Sequence, residues 1–319
     1  MKIKNKVMIS TIPPLLIIVL FVLFTLFILV PVENLGDNYI LGAHRGNSID
    51  FIENTLPAFE SAVNNEKYKF IEFDIQYTKD KHIILHHDLS LARLQQKPYK
   101  IQNLNYEELL IKSNYYIPNY SEVMNIVSKK KPLNIEIKSQ GNFEDDKKLA
   151  DFIISDLTER NLINSTLISS VSKEIIRYIN EKYNNYSYYT ENLSKEEVVY
   201  FEEYYNKDKW IDTGVVYYIE KSTFFHGVCD WFKETELYHC ASNEMIQGLT
   251  WSGANYLMVH GSNMRDNYNL QVFLPKNSAI VFWNFDDKMY LILPNKENWK
   301  KKYNINIEKF GEIKPWWID

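Results

Sequence analysis

Four short stretches of the chain put ionisable groups at the ends of apolar runs. His44-Arg45-Gly46 follows Ile40 and Leu41; Glu72 and Asp74 alternate with Ile71, Phe73 and Ile75; Asn134, Glu136 and Lys138 alternate with Leu133, Ile135 and Ile137; and Ile83-Ile84-Leu85 runs into His86-His87-Asp88. Successive side chains of an extended chain point to opposite faces, so Glu72 shares a face with Asp74, and Glu136 with Lys138. Two carboxylates one strand step apart on an apolar element are costly unless something positive lies between them. A divalent cation meets that need, and all-oxygen ligation favours Mg²⁺, Ca²⁺ or Mn²⁺ over zinc. Histidines at two places, three carboxylates, one Arg and one Lys form a set suited to metal-assisted phosphodiester cleavage. The cation with Arg and Lys stabilises charge on the phosphoryl oxygens, one imidazole activates the attacking oxygen, and another protonates the leaving alcohol.

The elements that must position these groups are short β-rich runs alternating with helical stretches. Strands are expected at Tyr39–Ala43, Phe70–Ile75, Leu133–Ile137, Thr166–Ser170, Ser187–Thr190, Tyr256–Val259 and Ala279–Phe285. Helical spacing lies between them, as in Leu56, Phe59, Ala62 and Val63, with Asn54 or Thr55 as N-cap and Pro57 in the first turn. Alternation of this kind implies a parallel sheet. Residues 38–319 show no linker, repeat or charge block, and their number suits one (β/α)₈ barrel. Between Asn192 and Gly253 a helix over Glu196–Tyr205 and a strand over Val215–Ile219 both fit. The C-terminal third is irregular, and an eighth strand is not identifiable.

With these residues in place, the chain resembles the glycerophosphodiester phosphodiesterases, a TIM-barrel family. The resemblance rests on His44-Arg45-Gly46, Glu53-Asn54-Thr55-Leu56-Pro57-Ala58-Phe59, Ile71-Glu72-Phe73-Asp74, Thr78-Lys79-Asp80 and His87-Asp88 with Leu91 and Arg93. It continues through Ile117-Pro118-Asn119-Tyr120 with Glu122-Val123, and through Asn134-Ile135-Glu136-Ile137-Lys138. It implies that His44 and His87 are the acid/base pair, that Glu72, Asp74 and Glu136 hold the divalent metal, and that Arg45 and Lys138 contact the phosphate. Ser169-Ser170 looks like the family's fourth strand end, and Trp283-Asn284 is similar to its late tryptophan motif. Leu94 stands where a threonine usually follows the arginine, and the closing strand with Asp-x-Pro is not evident. The implied reaction is hydrolysis to glycerol phosphate and an alcohol. The related phospholipase D-like toxins and sphingomyelinases D use a similar site to make a cyclic phosphate, and a barrel that binds without turnover is a third reading.

Several residues stand outside that set. His86 competes with His87, and the Asp88 context selects His87. Glu53 could line the site or complement a helix dipole. His226, Cys229, His239 and Cys240 invite a zinc reading, but adjacent His239 and Cys240 would struggle to share one tetrahedral ion, so a disulfide or two unrelated thiols is preferred. His82 and His260 look structural, and Trp299, Trp316 and Trp317 suit packing or a membrane interface.

The chain has 319 residues and net charge -5; Lys2, Lys4 and Lys6 lie in an acid-free hexapeptide, so the remainder carries -5 - 3 = -8. That balance opposes nucleic-acid binding. Val7 to Val32 holds no charged residue, a length sufficient for one transmembrane helix. Lysines before it, and Glu33 and Asp37 after it, put residues 1–6 in the cytoplasm and residues 38–319 outside, at the periplasm, cell surface or a lumen. No small-x-small site follows Val30 before Glu33, which favours an anchor over a cleaved signal. The expected partners are the membrane, through that helix, and a small-molecule or lipid-derived phosphodiester.

Overall fold

The structure, a computed structural model, describes residues 39–186, 211–217, 241–260, 278–285 and 288–292. The chain divides into two compact units, Met1–Gly36 and Asp37–Asp319, and every described residue belongs to the second. The segment 7–32, the Ser187–Thr190 strand, the Glu196–Tyr205 stretch, the His226/Cys229/His239/Cys240 group and the three late tryptophans lie outside the described residues. No described helix is long and apolar enough to cross a membrane.

Nine described strands form one sheet: β1 (Tyr39–Ala43), β2 (Phe70–Tyr77), β3 (Ile83–Leu85), β4 (Leu133–Ile137), β5 (Thr166–Ser170), β6 (Asp212–Tyr217), β7 (Tyr256–His260), β8 (Ala279–Phe285) and β9 (Lys288–Ile292). β1, β2, β4, β5, β6, β7 and β8 pair in parallel, each with the next. β9 runs antiparallel between β8 and β1, so the pairings return to their start. β3 folds back on β2 outside this ring. The expected TIM-barrel plan therefore holds in its parallel strands and differs at closure. Only residues 286–287 separate β8 from β9, far too few for the crossover a parallel neighbour requires, so the last strand must return as a hairpin. β6 supplies the strand expected near Val215, three residues earlier than its sequence reading.

Helices α1 (Leu56–Asn64), α4 (Tyr120–Val127), α5 (Phe143–Glu159), α6 (Lys173–Tyr183) and α7 (Ala241–Ser252) lie between successive barrel strands, while α2 (Ala92–Gln95) and α3 (Tyr106–Lys112) belong to the excursion between β3 and α4. Ile71, Phe73 and Ile75 of β2, with Ile135 and Ile137 of β4, pack with Phe59, Val123, Met124, Leu149 and Ile153 of the helices. The opposite faces carry Phe70, Leu167, Met258, Val281 and Met289, a second apolar cluster inside the ring. β2 is consequently buried along its whole length, as a strand covered on both faces must be. Gly42 makes room for this interior: a Cβ there would lie 2.1 Å from Cζ of Phe70. Ile84, Leu91, Ile101, Leu109 and Ile117 form a separate small core under the excursion.

Candidate active site

Strand register gathers the carboxylates. Glu72 pairs with Asn134, and Asp74 with Glu136, on adjacent parallel strands. All three acids are buried, and ligand oxygens of Glu72, Asp74 and Glu136 lie within 4.8 Å of one another. Lys138, just past β4, has its Nζ 3.0 Å from Asp74 Oδ1 and against Glu136 Oε1. Arg45 Nε is 3.4 Å from Asp74 Oδ2. Three carboxylates thus face two cations. Glu72 is the acid left over: Oε2 accepts from the Arg45 backbone N–H at 2.7 Å, while buried Oε1 has no hydrogen-bond partner. Burial, then Asp74 and Glu136, push its carboxyl well above the usual range. Burial acts the same way on Asp74, but Lys138, His87, Arg45 and the Asn54 amide outweigh it and hold that carboxyl far below its ordinary value. Lys138 is desolvated too, yet Asp74 and Glu136 raise it. An unpartnered, desolvated carboxylate oxygen beside two more acids fits a hard divalent cation, with Glu72, Asp74 and Glu136 as the holding residues.

The loop after β1 wraps this cluster. Arg45 and Gly46 have φ of 58° and 77°, a left-handed turn that aims the Arg45 N–H at Glu72 and brings the Gly46 N–H to the Glu72 carbonyl at 3.2 Å. Glycine is required at 46, where a Cβ would also press the Ala58 carbonyl carbon at 2.9 Å. His44 is buried, its Nε2 4.0 Å from Glu72 Oε2 and its ring 6.2 Å from that of Trp283. Burial and the neighbouring Arg45 guanidinium hold the imidazole well below its ordinary pKa, which favours a neutral ring. His260 packs edge-on against Trp283 at 5.0 Å, in keeping with a structural reading.

His87 reaches the site from the end of β3. Its Nδ1 lies 2.7 Å from Asp88 Oδ1, and about a quarter of its side chain is exposed. Buried Gln76 donates to the backbone carbonyls of His86 (2.6 Å) and Asp88 (2.8 Å), fixing the segment from below. His86 is buried, with Nδ1 2.9 Å from the Asp88 carbonyl. His82 is half-exposed, paired with Asp80 and stacked on Tyr106.

The structure therefore brings His44, Arg45, Glu72, Asp74, Glu136 and Lys138 together, with His87 close enough to act electrostatically on both His44 and Asp74. Two further neighbours complete the site: Asn54, read from the sequence as a candidate helix cap, and Glu53, for which lining the site is one of the two sequence readings. Asn54 is not the helix cap; that position is Thr55. Asn54 sits at φ 57° and its amide donates to Asp74 Oδ2 at 2.8 Å while accepting from the Asp74 N–H. Glu53 is no helix-dipole carboxylate: it accepts from Arg45 at 2.9 Å and also from Arg93. Both lie in the Glu53-Asn54-Thr55 stretch, one of those that carry the family resemblance.

A sequence model of the glycerophosphoryl diester phosphodiesterase family matches residues 44–212, more than half of the chain and all seven residues above. A glycerophosphodiester phosphodiesterase of Bacillus altitudinis is 33% identical over 109 residues, 30% of this chain and 44% of that protein. A human lysophospholipase D is 35% identical over 69 residues, 22% of this chain and 21% of the relative. The chain thus spans from about a fifth to under half the length of these curated relatives. The crystal structure of a glycerophosphodiester phosphodiesterase from Thermotoga maritima superposes with a TM-score of 0.51 at 21% identity, covering 87% of this chain and 95% of that one, a likeness of fold. The chain belongs to the glycerophosphoryl diester phosphodiesterase family.

Proposed function

We propose that this protein is a metal-dependent phosphodiesterase that hydrolyses a glycerophosphodiester to glycerol phosphate and an alcohol. The observation that carries the reading is the buried group Glu72, Asp74 and Glu136, set against Arg45 and Lys138, with Glu72 Oε1 unpartnered. Three negative charges against two positive leave one in excess. A divalent cation reverses that balance and supplies positive charge against the phosphoryl oxygens when bound. Arg45 and Lys138 orient the monoanionic diester by direct ionic contact. His44 and His87 form the acid/base pair: one imidazole takes a proton from the attacking water as it adds to phosphorus, and the other donates a proton to the alcohol oxygen as its bond to phosphorus breaks. Lys138 and Arg45 keep Asp74 ionised, and the Asn54 amide adds to this while holding the carboxylate in one orientation. The apolar segment 7–32 anchors the chain with its amino end in the cytoplasm and the barrel on the far side of the membrane.

A second reading of the substrate is favoured by the loops beside His87. Ile49, Phe51, Ile52 and Leu89 are each 42–48% exposed, and such side chains at the mouth of a polar site suit a diester that carries an acyl chain, as the human relative's name indicates for that protein. The test follows glycerol phosphate release by the full-length chain from glycerophosphocholine and glycerophosphoethanolamine, and lysophosphatidate release from lysophosphatidylcholine, with Mg²⁺, Ca²⁺ or EDTA. Metal-dependent release abolished by His44→Ala and by Glu72→Ala supports hydrolysis. A cyclic phosphate without oxygen taken from solvent water replaces it with internal transfer, and no product from any diester leaves a binding role.

A further inference from the structure

Residues outside the seven above form a continuous chain of charge-assisted hydrogen bonds between the two sides of the site. Glu53 accepts from Arg45 Nη1 at 2.9 Å on one side and from Arg93 Nη1 at 3.0 Å on the other. Arg93 also turns its Nε onto Asp88 Oδ2 at 2.6 Å, and Asp88 Oδ1 meets His87 Nδ1 at 2.7 Å. Each carboxylate therefore spends both oxygens: Glu53 on two guanidiniums, Asp88 on a guanidinium and an imidazole. Arg93 belongs to the four-residue helix α2, which has no other visible role in the site.

An exposed ion pair would be worth little, and Arg93 is itself 46% exposed along its side chain. Its partner Glu53 is not: at 13% side-chain exposure it is withdrawn from water and still below its ordinary pKa, since the Arg93 hydrogen bond and Arg45 overcome its desolvation. Asp88 is held low as well, by His87 and Arg93 against the opposing effect of burial. A carboxylate fixed at Oδ2 by a guanidinium presents Oδ1 in one direction. An imidazole whose Nδ1 faces that oxygen keeps its proton on Nδ1 and leaves Nε2 free for the reacting atoms.

Building on the acid/base reading of His87, we propose that Arg93 is a positioning residue for that histidine. Through Asp88 it fixes the tautomer and direction of the imidazole, and through Glu53 it ties His87 to Arg45, so that the proton-transfer group and the phosphate-binding group keep one relative placement. Misplacement of a reacting group by about 1 Å costs about 10²-fold in rate, which sets the expected scale.

The experiment is a double-mutant cycle on the full-length chain, with glycerophosphocholine and Mg²⁺ as the probe. Arg93→Met lowers kcat by about 10²-fold and leaves KM within about threefold, because the substrate contacts of Arg45 and Lys138 remain. Arg93→Lys, which can serve one carboxylate but not both, falls between. In a His87→Ala background the same Arg93→Met change costs nothing further, because the group it positions is gone. An equal loss in both backgrounds overturns the proposal and makes Arg93 an independent contributor. Full activity of His87→Ala overturns the parent reading instead, so the two failures are separable. ¹⁵N spectra of the histidine rings give a readout independent of turnover: the His87 signal is Nδ1-protonated in the wild type and becomes a tautomer mixture in Arg93→Met. An unchanged tautomer in a folded Arg93→Met protein also overturns the proposal.

Discussion

Glu72 is a buried acid whose charge the described residues around it leave unbalanced. A buried carboxylate with one oxygen unpartnered, and with Asp74 and Glu136 as neighbours, is destabilising whenever it is ionised without a counter-charge. Its folded pKa lies above its unfolded value, so in cation-free protein its effect on stability is least below the ordinary glutamate range and grows more adverse as pH rises through the folded pKa. Cation-free thermal stability is therefore expected to decline as pH rises across that interval, and saturating Mg²⁺ or Ca²⁺ to remove the decline by binding the ionised form. Glu72→Gln keeps the shape and removes the charge. It should melt higher than wild type in EDTA, lose the gain that cation gives, and lose at least about 10²-fold in kcat/KM, the scale of removing one electrostatic contributor. A cation-induced shift retained in the Gln variant would place the ion elsewhere. Glu53 and Asp88 behave oppositely: with folded pKa values lowered, their contribution is complete above the ordinary carboxylate range and is lost as pH falls through the lowered values. The acids of the cluster were legible because period-2 alternation put each on the inward face. Asn54 is not legible in this way, and Glu53 only as one of two alternatives. Their places depend on the left-handed turns at Arg45 and Asn54, which fold the loop back over Asp74, whereas sequence shows only that both precede a helix.

At the level of elements, most described barrel strands are readable as apolar runs, and their alternation with helices implies the parallel pairing found from β1 to β8; the antiparallel return of β9 is not readable. Lys288–Ile292 has the composition of any half-buried strand; what makes it antiparallel is the two-residue link from β8, and the pattern marks β8 itself at Ala279–Phe285 but no strand after it. The same limit applies to how helices end. α1 has no glycine at its close; instead Lys131, from just before β4, sends its ammonium to the carbonyls of Ala62, Asn65 and Tyr68 at 3.0, 2.6 and 2.7 Å. A contact spanning more than sixty residues leaves no local signal. It does give a prediction, because orphan carbonyls at a helix end favour a cation. Lys131→Met, which keeps the aliphatic stem, is expected to cost about 1–2 kcal/mol and to lower Tm by a few degrees. It should leave kcat and KM unchanged, since Lys131 lies at the opposite end of β4 from Glu136. Gly42→Ala tests the interior instead: with its Cβ at 2.1 Å from Phe70, the ring beneath Glu72 must shift, at a cost of about 1–3 kcal/mol. Activity should fall with stability there, whereas Lys131→Met separates the two.

For the whole molecule, the distribution of charge bears on where the chemistry takes place. The three lysines at positions 2, 4 and 6 precede an uncharged run from Val7 to Val32, and acids follow it, while the rest of the chain is net negative. Positive flanks are retained on the cytoplasmic side, and acidic ones contribute little to orientation. The anchor reading therefore predicts that an epitope placed after Asp319 is open to protease added outside intact cells or spheroplasts. It also predicts that the protein stays with membranes through carbonate washing rather than appearing as a shortened soluble form. Changing Lys2, Lys4 and Lys6 together to Glu removes the bias that holds the amino end inside, so the protected fraction of the epitope should rise. An epitope protected in the wild type even after the outer membrane or the lumenal compartment is opened would place the barrel in the cytoplasm, and a soluble shortened product would make the segment a cleaved signal. Either result would leave the geometry of Glu72, Asp74, Glu136 and the two histidines intact while changing which pool of diesters and divalent cations that geometry meets, because an extracytoplasmic barrel faces Ca²⁺ and envelope lipids and a cytoplasmic one faces Mg²⁺ and free metabolites.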